Sequence, residues 1–193
     1  MYNSSIKGQG RKMQFKEKLE IPHKVFFNDM SKNYMCEEFR SCDVIYSEIS
    51  WIYGYKGFNE KANNEPSTYN DYVENINKLI VELNKPAFII CGKNVSDKFP
   101  SAKMFPIKIN SAGTNMDSCT LYVCNYDYYD EGKEDTQKLT DFLAEHFNKC
   151  LDFSCGYGEH LLKFKDFIGC DIDRNCLTYL SILVQEKEKN ENK

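Results

Sequence analysis

At 193 residues, 41% of them hydrophobic and 14% aromatic, the chain holds enough apolar material for one good-sized core and little more. No apolar run approaches the length a bilayer demands, and the basic start of the chain lacks the apolar stretch of a secretory signal, so a cytoplasmic, intracellular protein is expected. A net charge of -4 speaks against a polyanionic partner for the molecule as a whole, although Lys7, Arg11, Lys12, Lys16, Lys18 and Lys24 are opposed nearby only by Glu17 and Glu20.

Residues 1–38 therefore read as a basic N-terminal arm. A solvated, partly disordered tail is the plainer account of it, and an arm lying along phosphates is the other. Asp43–Ser47 (DVIYS) is short, β-branched and aromatic, which predicts a buried strand running into a glycine-containing loop over 48–59. Tyr69, Tyr72, Val73, Ile76, Leu79, Ile80 and Leu83 recur at helical spacing, and Lys85-Pro86 stops that helix. AFIICG (87–92) is a second buried strand. MFPIKIN and CTLYVCNY follow as an antiparallel pair separated by the turn-rich SAGTNMDS. Leu139, Phe142, Leu143 and Phe147 mark another amphipathic helix. KCLDFSC and DFIGCDI are then two strands joined by a short helix entered through glycine. No linker divides the chain, so one domain is expected over 39–184, followed by a charged tail at 185–193. The fold class is α/β: a Rossmann-like sheet, mostly parallel, with an antiparallel hairpin at one edge.

Nine cysteines lie mostly in apolar runs and are odd in number, so they read as buried reduced thiols rather than a disulfide scaffold. There is no CxxC pair, and His23, His146 and His160 are scattered without ligand spacing, so no metal is expected.

Chemistry concentrates in two segments. In Leu151–Gly158 (LDFSCGYG) a strand ends in a glycine-bracketed turn, where backbone and ligand can approach closely and the helix expected to follow points its free N–H groups and positive dipole end at that ligand. Asp171, ending the next strand in FIGCDID, is placed to accept from ribose hydroxyls. The second segment, Asp43–Trp51 running on to Asn59, brings an acid and aromatics to a strand end, where open α/β sheets bind ligands. The simpler alternative there is a packing cluster of Trp51, Tyr53, Tyr55 and Phe58 beside an exposed loop acid, Glu48.

LDFSCGYG followed by FIGCDID resembles the cofactor motifs of the S-adenosylmethionine-dependent amino-methyltransferases, especially the small phage and bacterial DNA adenine N6-methyltransferases. The catalytic-like strand precedes the cofactor strand, as in a permuted group of that family. The resemblance implies that Asp152, Phe153, Gly156 and Gly158 line the methionine and sulfonium region, that Asp171 holds the ribose and that Ile172 packs on the adenine of S-adenosylmethionine. Glu48, Ile49, Ser50 and Trp51 stand where the family has an acid or amide, two prolines and an aromatic. Both prolines are absent here, and the interval from Gly158 to Asp171 is shorter than the family's. By the same resemblance Glu48, Ser50 and the Ile49 carbonyl serve catalysis, with Trp51 stacking on an extruded base, and Tyr53, Tyr55, Phe58 and Asn59 contact substrate. The implied activity is methyl transfer to an exocyclic amino group, adenine N6 in DNA foremost. The alternatives are an inactive methyltransferase-fold binding protein or a subunit of a larger methyltransferase complex, a homo-oligomer among them, and a small-molecule methyltransferase. The compact design suits a phage or mobile-element protein.

Overall fold

Strands Val25–Phe27 (β1), Val44–Ile49 (β2), Ala87–Cys91 (β3), Lys103–Ser111 (β4), Thr114–Cys124 (β5), Lys149–Asp152 (β6) and Asp166–Asp171 (β7) form one seven-stranded sheet in the order β1-β7-β6-β2-β3-β5-β4. The structure is a computed structural model and describes residues 25–50, 52–65, 67–92, 95–111, 114–128 and 135–191. Every neighbouring pair from β1 to β3 is parallel. β5 runs against both β3 and β4, which makes the expected antiparallel hairpin.

Helices Ile52–Lys61 (α1), Tyr69–Leu83 (α2), Thr136–His146 (α3) and Arg174–Glu191 (α4) complete the fold, with single 3-10 turns at Glu37–Ser41 and Glu159–Lys163. Two apolar clusters cover the two faces of the sheet. One joins Ile45, Ile89, Leu151 and Ile168 to the α2 residues Val73, Ile76, Leu79 and Ile80. The other joins Val44, Phe88, Leu121 and Cys150 to Leu139 and Leu143 of α3 and Leu177 and Leu180 of α4. Residues of β2, β3, β6 and β7 alternate between these clusters, as the two-residue period of a strand covered on both faces requires, whereas the buried residues of β4, Ile107 and Ile109, join the second cluster only.

α2 forms where the apolar spacing places it. Thr68 and Asp71 close a capping box at its start, and Asn84, at φ 50, ends it in the left-handed conformation just before Lys85-Pro86. The stretch 52–59, expected as loop, is helical in α1. Gly54 and Gly57 weaken its helix propensity and aromatics on several faces blur its period, yet Tyr55 and Asn59, one turn apart, are both buried. The connection from β6 to β7 holds a 3-10 turn where a short helix was expected. Its brevity accounts for the short interval between Gly158 and Asp171.

Residues 25–38, grouped above with the N-terminal arm, join the domain. β1 pairs Val25 with Gly169 and Phe27 with Asp171, and Val25, Asn28 and Met30 are buried. α4 in turn continues through the expected tail from 185 to Glu191. All nine cysteines are free thiols, seven of them buried.

Candidate active site

The chain leaves β6 for β7 on one side and β2 for β3 on the other, so the sheet's switch point lies between β6 and β2. Strand ends diverge there and leave room for a ligand beyond their carboxyl termini. A cavity of about 740 Å³ opens at this place. Its wall is made by the ends of β2 (Glu48, Ser50), β6 (Asp152) and β7 (Asp171, Ile172), with the glycine loop, the start of α3 and the chain after β1.

The glycine loop is shaped by two left-handed residues, Gly156 (φ 52) and Gly158 (φ 66). Cys155 N donates to Cys170 O at 3.0 Å and Gly158 N to Cys155 O at 2.8 Å, which fastens the loop to β7. Gly156 N donates to Asp171 Oδ2 at 2.8 Å, and Asp173 N to Asp171 Oδ1 at 2.9 Å. Burial pushes the Asp171 carboxyl above its usual range, against the pull of these two N–H groups. A Cβ built on Gly156 would meet no atom within 4 Å, so the cavity reaches the backbone there.

Asp152 is 1% exposed and fully engaged. Its Oδ1 accepts from Ser47 Oγ at 2.7 Å and from Ser154 N at 3.0 Å, while Oδ2 lies 2.8 Å from His160 Nε2. Across the gap, Tyr46 and Glu48 lie two residues apart on one face of β2, and the Tyr46 hydroxyl donates to Glu48 Oε1 at 2.7 Å. The His160 ring meets the Tyr46 ring edge-on with centroids 5.2 Å apart. Burial, with the nearby Asp152 charge adding to it, raises the Glu48 carboxyl above its ordinary value, opposed by the Tyr46 hydrogen bond and by His160.

Most residues singled out in the sequence reach this cavity: Glu48, Ser50, Asp152, Phe153, Gly156, Gly158, Asp171, Ile172, Tyr55, Phe58 and Asn59. Their settings differ. Tyr55 stacks on Tyr72 with centroids 4.8 Å apart, and buried Asn59 donates to Tyr55 O at 2.8 Å and accepts from Asn64, so both also hold α1 in place. Phe58 is half-exposed, with Lys61 Nζ above its ring. Trp51 and the Tyr53 side chain lie outside the described residues.

Sequence reasoning missed Asn28, Asp29, Tyr46, His160 and Lys163, which share the wall. Asp29 had a readable signal: FFND is a short aromatic run ending in an acid, the same grammar as FIGCDID. Burial acts to raise its carboxyl, but hydrogen bonds from Ser31, Asn64 and Lys32 outweigh it and hold the group below its ordinary value. His160 carried no such signal, because its partner Asp152 is brought beside it by the turn and not by regular spacing. Among the described residues no group of three or more His, Cys, Asp or Glu is arranged to hold a metal ion, and no helix is long and apolar enough to cross a membrane.

The sheet is parallel but for one reversed strand next to its edge, and a glycine loop and an acidic strand end meet at its switch point. Among solved structures, that of M1.HpyAVI matches with a TM-score of 0.51 at 10% identity, covering 83% of this chain and 98% of its own, which establishes a shared fold. TTHA0409 of Thermus thermophilus, whose given name proposes a DNA modification methylase, matches in its complex with S-adenosyl-L-methionine at a TM-score of 0.49 and 8% identity, covering 82% and 91% of the two chains. That second likeness is too loose to carry argument. No protein-family model matches the chain, and no curated protein matches it at a significant level.

Proposed function

We propose that the protein is an S-adenosylmethionine-dependent N-methyltransferase whose acceptor is an exocyclic amino group, with adenine N6 in DNA as the leading case. The observation that carries this reading is the facing of two walls across one cavity, the open glycine loop with Asp171 on one side and Glu48 with Ser50 on the other.

The cofactor test turns on Gly156 and Asp171. Open space beside a left-handed glycine suits a ligand lying against backbone, and a carboxylate oriented by two backbone N–H groups keeps lone pairs for vicinal hydroxyls. The residues therefore fit the group. Gly156, Gly158 and Phe153 would line its methionine part, Asp171 its ribose and Ile172 its adenine. Asp152, saturated by Ser47, Ser154 and His160, orders that wall from behind. When bound, S-adenosylmethionine supplies an electrophilic methyl group on a sulfonium: the C–S bond breaks with its electron pair passing to sulfur as the C–N bond forms.

The chain's own part is orientation and charge. An aromatic amine is a weak nucleophile while its lone pair is conjugated with the ring. Glu48, held by Tyr46, and the Ile49 carbonyl would accept from its N–H groups as the nitrogen becomes tetrahedral. Trp51 is proposed to stack on the base, and Tyr55, Phe58 and Asn59 to border it.

A second reading draws on the lining itself. Asp29, Glu48, Asp152, Glu159, Asp171 and Asp173 outnumber Lys61 and Lys163 around the cavity, which disfavours a polyphosphate backbone near it and favours a small neutral or cationic amine. Calorimetric titration with S-adenosylmethionine, followed by incubation with methyl-labelled cofactor and unmethylated DNA, separates the readings. Binding with label in DNA is the expected result. Binding without such transfer would leave the small-amine or non-catalytic reading, and absence of binding would end the cofactor assignment.

A further inference from the structure

Methyl transfer to an amine leaves a proton to be removed, because the acceptor nitrogen spends its lone pair on the new C–N bond while keeping its hydrogens. If the protein is the N-methyltransferase proposed, and the role assigned to His160 rests on that reading, a group near the transfer point must take that proton. Glu48 is proposed to orient the amine through its N–H groups, and its Oε1 is already occupied by the Tyr46 hydroxyl.

His160 has the arrangement of a base. Its Nε2 lies 2.8 Å from Asp152 Oδ2, and Asp152 is buried and itself fixed by Ser47 and Ser154. A carboxylate at that position holds the hydrogen on Nε2, which leaves the lone pair on Nδ1. Among the described residues Nδ1 has no hydrogen-bond partner, although the ring lines the cavity. Tyr46 braces the ring from the side, and the same Tyr46 orients Glu48. The side chain is three-quarters buried and belongs to the cavity wall. A histidine whose only task was packing would not need a buried carboxylate with its own two donors behind it.

We infer that His160 is the proton acceptor of the transfer step, oriented by Asp152 as its positioning residue. The amino nitrogen gives up one N–H proton to Nδ1 as the C–N bond completes. The resulting imidazolium is stabilised by Asp152 and returns the proton to water when product leaves.

The inference can be tested without knowing the acceptor. A protonated His160 near the transfer point repels the sulfonium of S-adenosylmethionine and is indifferent to the uncharged sulfur of S-adenosylhomocysteine. Calorimetry with each ligand over a series of pH values, in wild type and His160→Gln, therefore reads the charge directly. Tyr46 and Glu48 of β2 and Asp152 of β6 act on the ring directly, Asp29, Lys61, Glu159, Lys163, Asp171 and Asp173 share the cavity wall with it, and Asp141 of α3 is paired with Lys163. They are shared by both chains and cancel in the comparison. In wild type the preference for S-adenosylhomocysteine should grow as pH falls, by about tenfold for each pKa unit of repulsion between the two like charges. That growth should be absent in His160→Gln.

An equal pH dependence in both chains would overturn the inference and leave the cofactor assignment standing. Failure of wild type to bind either ligand would instead remove the proposed function, and the inference with it. Should His160→Gln not fold, ¹⁵N spectra of the wild-type imidazole decide. A bare Nδ1 whose resonance differs between the two complexes supports the assignment, and an Nδ1–H tautomer or identical resonances would exclude it.

Discussion

Gly158 and Gly156 sit two residues apart with similar backbones, φ 66 and φ 52, but their surroundings differ. A Cβ on Gly158 would lie 2.5 Å from Leu180 Cδ2, in the buried contact between the loop and α4, whereas one on Gly156 would meet nothing. Gly158→Ala combines left-handed strain with overpacking and should cost about 1–3 kcal/mol. Gly156→Ala carries the strain alone, about 1 kcal/mol, and should fall chiefly on S-adenosylmethionine affinity. Thermal unfolding and titration of both variants check this, and a Gly156→Ala chain with unaltered affinity would mean that no ligand lies against that backbone. Glu48 offers a prediction of the opposite sign. Its raised carboxyl favours the neutral form in the folded chain, so its stabilising contribution is present in acid, below the ordinary glutamate value, and is lost as pH rises through the folded value. Glu48→Gln should accordingly raise the unfolding temperature at neutral pH and leave it unchanged in acid. A neutral-pH fall would show that the charge is compensated by something other than Tyr46 and His160.

Among the elements, α2 shows how caps and apolar spacing act together. Tyr72, Val73, Ile76, Leu79, Ile80 and Leu83 are all buried, and full burial of a large apolar side chain contributes about 1.5–3 kcal/mol. The cap adds less but is separable: Thr68→Ala removes the side-chain acceptor for Asp71 N and should cost about 1 kcal/mol, or about 2–4 °C in a chain of this length. No change in circular-dichroism melting would mean that the helix start is held by packing alone. That helix was legible because its period is unbroken and Lys85-Pro86 punctuates its end. β2, β3, β6 and β7 were legible for the matching reason, as short β-branched runs bounded by turn residues. α1 was hidden because its glycines and aromatics give no single apolar face. β1 was hidden by its length, since Val25–Phe27 acquires meaning only when β7 supplies the edge it pairs with. The site divides in the same way. Residues at strand ends and in the glycine loop could be read from local pattern, whereas Tyr46, His160 and Asp29 depend on elements brought together by the sheet order.

That order sets the first and last strands of the described residues side by side, so a segment from the start of the sheet finishes a wall built by its end. Val25 and Phe27 pair with β7, Asn28 N donates to Asp171 O at 3.2 Å, and Asn28, Asp29 and Met30 carry the cavity beyond the strand ends. The same segment is tied to the far side, where Asp29 accepts from Asn64, and Ser31 O accepts from Ser67 Oγ and Asn75 Nδ2. A chain beginning at residue 39 would lose the buried side chains of Val25 and Met30, uncover β7 and leave the donors of Asn64 and Asn75 without these partners. The apolar loss alone is about 3–6 kcal/mol, a large part of the 5–15 kcal/mol by which a domain of ordinary stability is held. Such a chain should melt well below the full-length protein or lose its cooperative transition, and should not bind S-adenosylmethionine even at temperatures where it stays folded. Unfolding followed by circular dichroism, with a parallel titration, gives both readings. Unchanged melting together with unchanged binding would show that β1 is an ornament on the sheet edge and that the cavity wall is complete without it.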